Sequence, residues 1–387
     1  MSRNPQLDFF RGFFILIITI DHFFSENNII RKLTEESLGW VSAAEGFVFL
    51  SGLTAGLVYT RKLIEAGPDY ITRAACKRAL VIYKYHIILF LLTIAILFSH
   101  YSMKEFWAER FDIIFEKPLI ALMLGGLFLY QPIFLDILPM YAVFMLLVPI
   151  VIKSYQKGYY WYILILSLIL YLIGTADINL TFFINLPLSQ YFDLGTFDLF
   201  CWQLLFVYGL FIGHLMYHGH LDGITKNYGL FSVALLICVS LFFLKLFFAD
   251  LDSNTINLWL GKYAWLGKYS LVDKGNLRPL RALNFASLVF VVSFIAARNK
   301  HWFTFNPICY LGLHSLKVFS LHIILIILFN PLKVYTNRFY AVPVSDELYF
   351  YPIATLMLLF LIIPALYMGP IIIKSSRSNL TNTTKPL

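Results

Sequence analysis

Charge is what this sequence has least of. Of its 387 residues, 13% are Asp, Glu, Lys or Arg, about half the roughly 25% of an ordinary soluble chain. Hydrophobic residues make up 59%, and the mean hydropathy is +0.74. One water-soluble core cannot hide that much apolar surface, so part of it must face lipid. Cysteine is scarce too. Cys76, Cys201, Cys238 and Cys309 lie far apart with no C-x-x-C pair, so they read as small hydrophobes rather than as a disulfide or zinc framework. Also missing are a G-x-S-x-G elbow, a P-loop and an H-E-x-x-H helix. There are no heptads, no internal repeat and no long polar stretch that could fold as a separate soluble domain. The net charge of +8 and pI near 9.1 do not point to nucleic acid, because no compact basic region exists to grip phosphates. The positive excess sits in short loops, as it does on the cytoplasmic side of membrane proteins.

Long apolar runs are what the chain does have. At about 20 residues each, they match a helix crossing the hydrocarbon layer. The pattern predicts an all-α, polytopic transmembrane helix bundle of about ten spans, one membrane-embedded domain over 1–387. The spans fall near 9–28, 42–60, 79–99, 133–152, 159–175, 197–217, 229–249, 280–297, 307–329 and 350–373. Leu119–Leu129 is apolar but short, and is expected to be re-entrant or interfacial. Arg3 and Arg11 ahead of an apolar run resemble a signal peptide, but Asp21, His22 and the lack of a convincing cleavage site make it a retained first helix. Basic residues cluster at Arg61, Lys62, Arg73, Lys77 and Arg78, at Lys153 and Lys157, at Arg298 and Lys300, and at Lys374, Arg377 and Lys385. With ten spans all of these fall on one side, which places both termini in the cytoplasm. The loops near 100–132 and 250–279 are expected to cap the outer mouth. Gly52/Gly56 and Gly209/Gly213 have the spacing of close helix packing.

Ionisable groups inside spans carry the chemical information, since each costs about 2.5–3.5 kcal/mol at a helix centre and needs a partner, a wet cavity or a task. The first span is densest, with Asp8, Arg11, Asp21 and His22. Arg11 and His22 are eleven residues apart, which on a helix means nearly one face and about 16–17 Å of rise. That spacing fits a long ligand with an anionic end and a reactive end, such as acyl-coenzyme A. It also fits an Arg snorkelling to the interface and a His hydrogen-bonded near the headgroups. Glu45, about one turn into the second span, sits at a depth similar to His22 and could set its tautomer, or could face an outer cavity structurally. Lys84 and His86 in the third span, and His314, Ser315, Lys317 and His322 in the ninth, could line the same cavity or simply pack. His214, His218 and His220 resemble a metal set, but no acidic or Cys partner is nearby, and no metal is expected.

Gln6-Leu-Asp-Phe-Phe-Arg11-Gly12, Asp21-His22 and Ala43-Ala-Glu45-Gly-Phe-Val-Phe-Leu-Ser51-Gly52 resemble the OpgC family. So do Asp136-Ile-Leu-Pro139-Met-Tyr141, Trp202-Gln203, Leu280-Arg281-x-Leu-Asn284 and His314-Ser315-Leu316, in order along the chain. The Arg-x10-His spacing is similar to the hallmark of the wider acyltransferase-3 membrane superfamily. Ser42 and His314 depart from the family pattern, where Asp and Arg are expected. The resemblance implies an enzyme of the bacterial inner membrane that moves an acyl group, succinyl in this family, from cytoplasmic acyl-CoA to hydroxyls of a periplasmic glucan. It carries over His22 as catalytic base and Arg11 as a contact for the acyl donor. Glu45 and Asp21 are added as supporting acids from their depth, and Arg73 and Arg78 as phosphate contacts. Ser51, His86, His314 and Ser315 are candidates to meet the acceptor. The rival reading is a transporter of a glycan, lipid or organic anion, with Arg11, His22 and Glu45 as a relay. A passive scaffold fits poorly with so many charges in the first two spans.

Overall fold

A computed structural model describes residues 4–24, 28–176, 188–221, 223–250, 271–299 and 301–331. These form fourteen α-helices, a short 3-10 turn at Ser189–Tyr191 and no strand among the described residues. Local sequence sets the helix ends. Helix α1, Pro5–Phe23, starts with an Asn4 side-chain cap and Pro5 in its first turn. After the short α2, Ile29–Thr34, helix α3, Ala43–Ala66, opens on a capping box in which Ser42 and Glu45 satisfy each other's backbone ends. Gly67, at φ +84°, ends α3, and Pro68 begins α4, Pro68–Leu97, at the next residue. Then come α5 Tyr101–Trp107, α6 Asp112–Glu116, α7 Pro118–Gly126, α8 Ile137–Gln156 and α9 Tyr160–Thr175. The remainder are α10 Leu199–Tyr217, α11 Tyr228–Asp250, α12 Pro279–Arg298, α13 Asn306–Leu313 and α14 Ser315–Phe329.

Among the described residues six helices, α3, α4, α8, α10, α11 and α12, are long and apolar enough to cross a membrane. The pair α13 and α14 makes a seventh if counted together, although it bends by 89° at its break. The chain is therefore a multi-pass membrane protein. About ten spans were expected, and the structure supports six or seven of them. Helix α1 keeps its length but carries Asp8, Arg11 and Asp21, α9 is 16 residues long, and the range 350–373 lies outside the described residues. The expected short segment is α7, nine residues and too short to cross. Leu80, Ile88 and Leu91 of α4 and Val233, Leu236, Val239 and Phe243 of α11 are exposed, an outward apolar surface that suits lipid.

The described residues group into two compact units, one of residues 36–294 and one of 1–35 with 295–387. In the 36–294 unit, α3 and α10 run side by side at backbone contact. A Cβ on Gly52, Gly56, Gly209 or Gly213 would lie between 2.1 and 2.5 Å from carbonyl oxygens of Phe206, Leu210, Phe49 and Leu53. Only hydrogen fits there, so the two glycine pairs interlock as their spacing predicts. Lys153 Nζ donates to Thr72 Oγ1 at 2.9 Å, tying the end of α8 to the start of α4. Gln203 exchanges hydrogen bonds with Ser167, holding α10 to α9. Arg61, Arg73, Lys77, Arg78 and Lys157 are exposed at this end of the unit. The starts of α3, α8 and α10 lie at the other.

In the second unit, α1 packs on α13 and α14, and α2 folds back toward α1. The α1–α13 contact is again glycine on glycine. A Cβ on Gly12 would meet Ile308 O at 2.0 Å, and one on Gly312 would meet Asp8 O at 1.8 Å.

Backbone oxygens cannot swing aside as a side chain can. Gly213→Ala is therefore expected to cost at least about 1–3 kcal/mol, whereas Gly126→Ala, with nothing within 4 Å of its Cβ, should be neutral. Thermal unfolding of both variants in detergent checks this, and equal melting temperatures would refute the interlock.

Candidate functional site

Helix α1 is unbroken from Pro5 to Phe23, so Arg11 and His22 share a face with about 16–17 Å between them along the axis. Arg11 faces Asp8 across 3.9 Å, one helical turn away. The bent pair α13–α14 brings a second imidazole to the other end. The rings of His22 and His322 lie 5.7 Å apart, centroid to centroid, and within 21° of parallel. His322 is fully buried, whereas His22 is half-buried. Asp21 projects elsewhere, its Oδ1 accepting from Thr34 Oγ1 of α2 at 2.6 Å. His314 is the residue at which α13 gives way to α14, its ring against Tyr310 at 4.7 Å, and Ser315 is the first residue of α14. One unit thus assembles Arg11, His22, His322, His314 and Ser315.

Glu45 belongs to the other unit, where it joins a buried charge network. Its Oε1 accepts from Arg281 Nη1 at 2.6 Å, and its Oε2 accepts from the Ser42 backbone N–H at 3.0 Å and from the Ser42 hydroxyl. Arg281 also donates Nη2 to Glu36 and Nε to the Val272 carbonyl. Lys245 Nζ closes the set, donating to the carbonyls of Glu36 at 2.8 Å and Gly39 at 3.0 Å. Two carboxylates face two cations, so no charge in the set is buried alone. Glu36 sits at φ +53°, a conformation that costs on the order of 1–3 kcal/mol outside glycine and turns both its carbonyl and its carboxylate into the network. Burial pushes the Glu36 carboxyl up, but Arg281, Lys245 and Lys274 outweigh that and hold it below the ordinary carboxylate range.

The other candidates have separate surroundings. Arg73 and Arg78 are exposed near the start of α4, and Ser51 is buried within α3. His86 is buried and pairs through Nε2 with the Gly125 carbonyl at 3.0 Å, pinning the end of α7. The His214 Nδ1 pairs with Thr60 Oγ1 at 3.0 Å across the α3–α10 seam. No group of three or more His, Cys, Asp or Glu side chains able to hold a metal occurs among the described residues.

Arg281, Glu36 and Lys245 were not assigned as site residues from sequence, and His322 was named only as a residue that could line the cavity. Arg281 carries the signal that singled out Arg11, a guanidinium inside a predicted span. Lys245, a cation inside the predicted 229–249 span, carries the same signal, whereas the loop acid Glu36 carries none by itself. Several resemblance motifs prove to be joints. Trp202 Nε1 donates to the Gly275 carbonyl at 2.8 Å, and Asn284 Oδ1 accepts from Trp40 N at 2.8 Å. Asp136 Oδ2 accepts from Thr196 N at 3.0 Å.

A family model described as OpgC protein matches residues 3–367. No curated protein and no solved structure matches the chain.

Removing one partner from the charge network strands the others. Arg281→Met should destabilise the protein by about 3–5 kcal/mol, and adding Glu45→Gln and Glu36→Gln should recover much of that. Melting of the single and triple variants in detergent checks it, and an additive loss would overturn the pairing. Asp136 has the opposite sensitivity. Burial pushes its carboxyl up to about 6, so its stabilising contribution is full below the unfolded value near 3.8 and is lost as pH rises through about 6. Asp136→Asn keeps an acceptor for Thr196, and should gain on the order of 2–3 kcal/mol at pH 7 while flattening the slope between about pH 4 and 6. An unchanged slope in melting curves across that range would show that Asp136 is not the titrating group.

Proposed function

The chain belongs to the OpgC family, whose role is of the acyltransferase type in glucan modification. From that premise we propose that it transfers an acyl group, succinyl by preference, from acyl-CoA to a hydroxyl of a periplasmic glucan across the bacterial inner membrane. Arg11 and His22 on one continuous helix are the observation that supports this most. A cation at one end and an imidazole about 16–17 Å further along match a donor with charged phosphates, a flexible arm and a thioester tip. We place the termini and the basic end of the 36–294 unit in the cytoplasm, following the asymmetry of Lys and Arg. There the exposed Arg73 and Arg78 raise the local concentration of an anionic donor through their field. Glu45, committed to Arg281 and Ser42, is given the task of holding the outer end of its own unit together.

In the reaction, a His22 nitrogen takes the proton of the glucan hydroxyl while the oxygen attacks the thioester carbonyl carbon. The C–S bond then breaks. The departing thiolate recovers the proton from the imidazolium and leaves as CoA thiol, and the sugar oxygen keeps the acyl group as an ester. In a two-step variant a His22 nitrogen itself attacks the thioester carbonyl carbon and expels the thiolate, the glucan hydroxyl then displaces the imidazole from the acyl group, and the hydroxyl proton passes to the thiolate.

General-base assistance is typically worth about 10²–10⁴-fold, and His22→Ala should lose that factor in transfer while still inserting and melting like the wild type. Purified protein with labelled acyl-CoA and glucan supplies the assay. Label appearing on sugar supports the enzyme, whereas movement of glucan without modification supports the transport reading.

A further inference from the structure

His322 has a feature that neither packing nor the proposed chemistry has used. Its Nδ1 lies 2.5 Å from the Phe319 carbonyl. A carbonyl oxygen only accepts, so Nδ1 carries the hydrogen, and the neutral ring keeps its lone pair on Nε2. That nitrogen is buried and has no hydrogen-bond partner among the described residues. A buried acceptor is rarely left unmet without a reason. The neighbouring ring is His22, nearly parallel and 5.7 Å away by centroid.

We propose that His322 is a positioning residue for His22. Its Nε2 accepts a hydrogen bond from the His22 ring N–H, directly or through one water, and so fixes which His22 nitrogen holds the lone pair facing substrate. The inference rests on the reading of His22 as the base. When His22 takes the hydroxyl proton, its N–H toward His322 becomes a charged donor, and such hydrogen bonds are markedly stronger than neutral ones. The imidazolium is thereby stabilised at the step where it forms. A carboxylate does this for the base of a hydrolase triad, and here a neutral ring of fixed tautomer does it. Among the described residues, α2 brings Arg31, held by Glu35 and by the Phe24 carbonyl, and the exposed Lys32 to this end of α1. On α1, Asp21 is engaged with Thr34, while Asp8 and Arg11 lie toward the other end of the helix. The titratable groups of α13 are Cys309 and Tyr310, and Tyr310 packs on His314. On α14 itself, His314 sits at its start and Lys317 is exposed.

Replacing the ring by one without a lone pair isolates the effect. His322→Phe should lower kcat about 10- to 100-fold with KM for acyl-CoA unchanged, and should move the acidic limb of the kcat–pH profile about one unit down, because the imidazolium is less favoured. His322→Asn offers an amide oxygen instead and should restore part of both. A merely structural histidine would change yield or melting without moving that limb. If His322→Phe does not insert, the ¹⁵N spectrum of wild-type protein in bilayers decides, since it should show His322 protonated at Nδ1 with Nε2 hydrogen-bonded. A His322→Phe variant with wild-type kcat and pH profile overturns the proposal, as does an Nδ1-bare or unbonded Nε2 signal. His22→Ala run beside it separates the two claims. If that variant stays active, the base assignment falls. If it is inactive while His322→Phe is normal, only this inference falls.

Discussion

An unpaired charge has nowhere to go in hydrocarbon, and this constraint arranges most of what the molecule contains. Water cannot solvate it, and the few charges inside the spans must therefore meet one another or reach a wet surface. Arg281 satisfies two carboxylates at once through the two arms of its guanidinium and a backbone carbonyl through the third nitrogen, a fork that Lys could not reproduce. Lys245 takes what remains, two carbonyls turned inward by the positive φ of Glu36 and the glycine at position 39. Local strain, a capping box and an inter-helix ion pair are thus one solution to one problem. Helix α3 begins where it does because Glu45 caps it and is itself held by Arg281.

The glycines answer a second constraint. Between helices immersed in lipid no hydrophobic effect draws apolar faces together, so close backbone contact and dispersion must do so. The α3–α10 seam and the α1–α13 crossing both use glycine where any Cβ would strike a carbonyl oxygen. Such seams leave little room for sliding. A rigid α1 fixes the separation of Arg11 and His22, as the proposed binding of a donor of definite length requires.

Much of this was legible in the residues. Apolar runs located nine of the ten expected ranges as helices, the glycine spacings foretold the interlock, and Arg11 and His22 did prove to share one helix. What escaped has physical causes. Hydropathy cannot distinguish a straight span from α13–α14, because the 89° break at His314 leaves the run of apolar residues intact. Pairing across the chain is invisible as well: Glu45 and Arg281 meet although they are far apart in sequence. Depth says where along a helix a group lies, but not which way it faces or which distant element meets it. Asp21 shows the same limit, one residue from His22 and turned to Thr34 instead.

The break at His314 links these strands. An unbroken helix would continue on its own line, whereas the bend lets α14 leave α13 at a steep angle and bring His322 beside His22. Burying an imidazole there is cheaper than burying a carboxylate, because the neutral ring carries no charge to desolvate when the site is idle. In the proposed mechanism charge appears only while His22 holds a proton, and at that moment the lone pair of Nε2 would gain its value. An acidic partner would hold a permanent charge that must be neutralised in every resting molecule, as Glu45 and Glu36 are by Arg281 and Lys245. On that proposal the protein contains both arrangements, permanent ion pairs where structure must be held and neutral polar groups where charge comes and goes, and the division follows from what hydrocarbon tolerates.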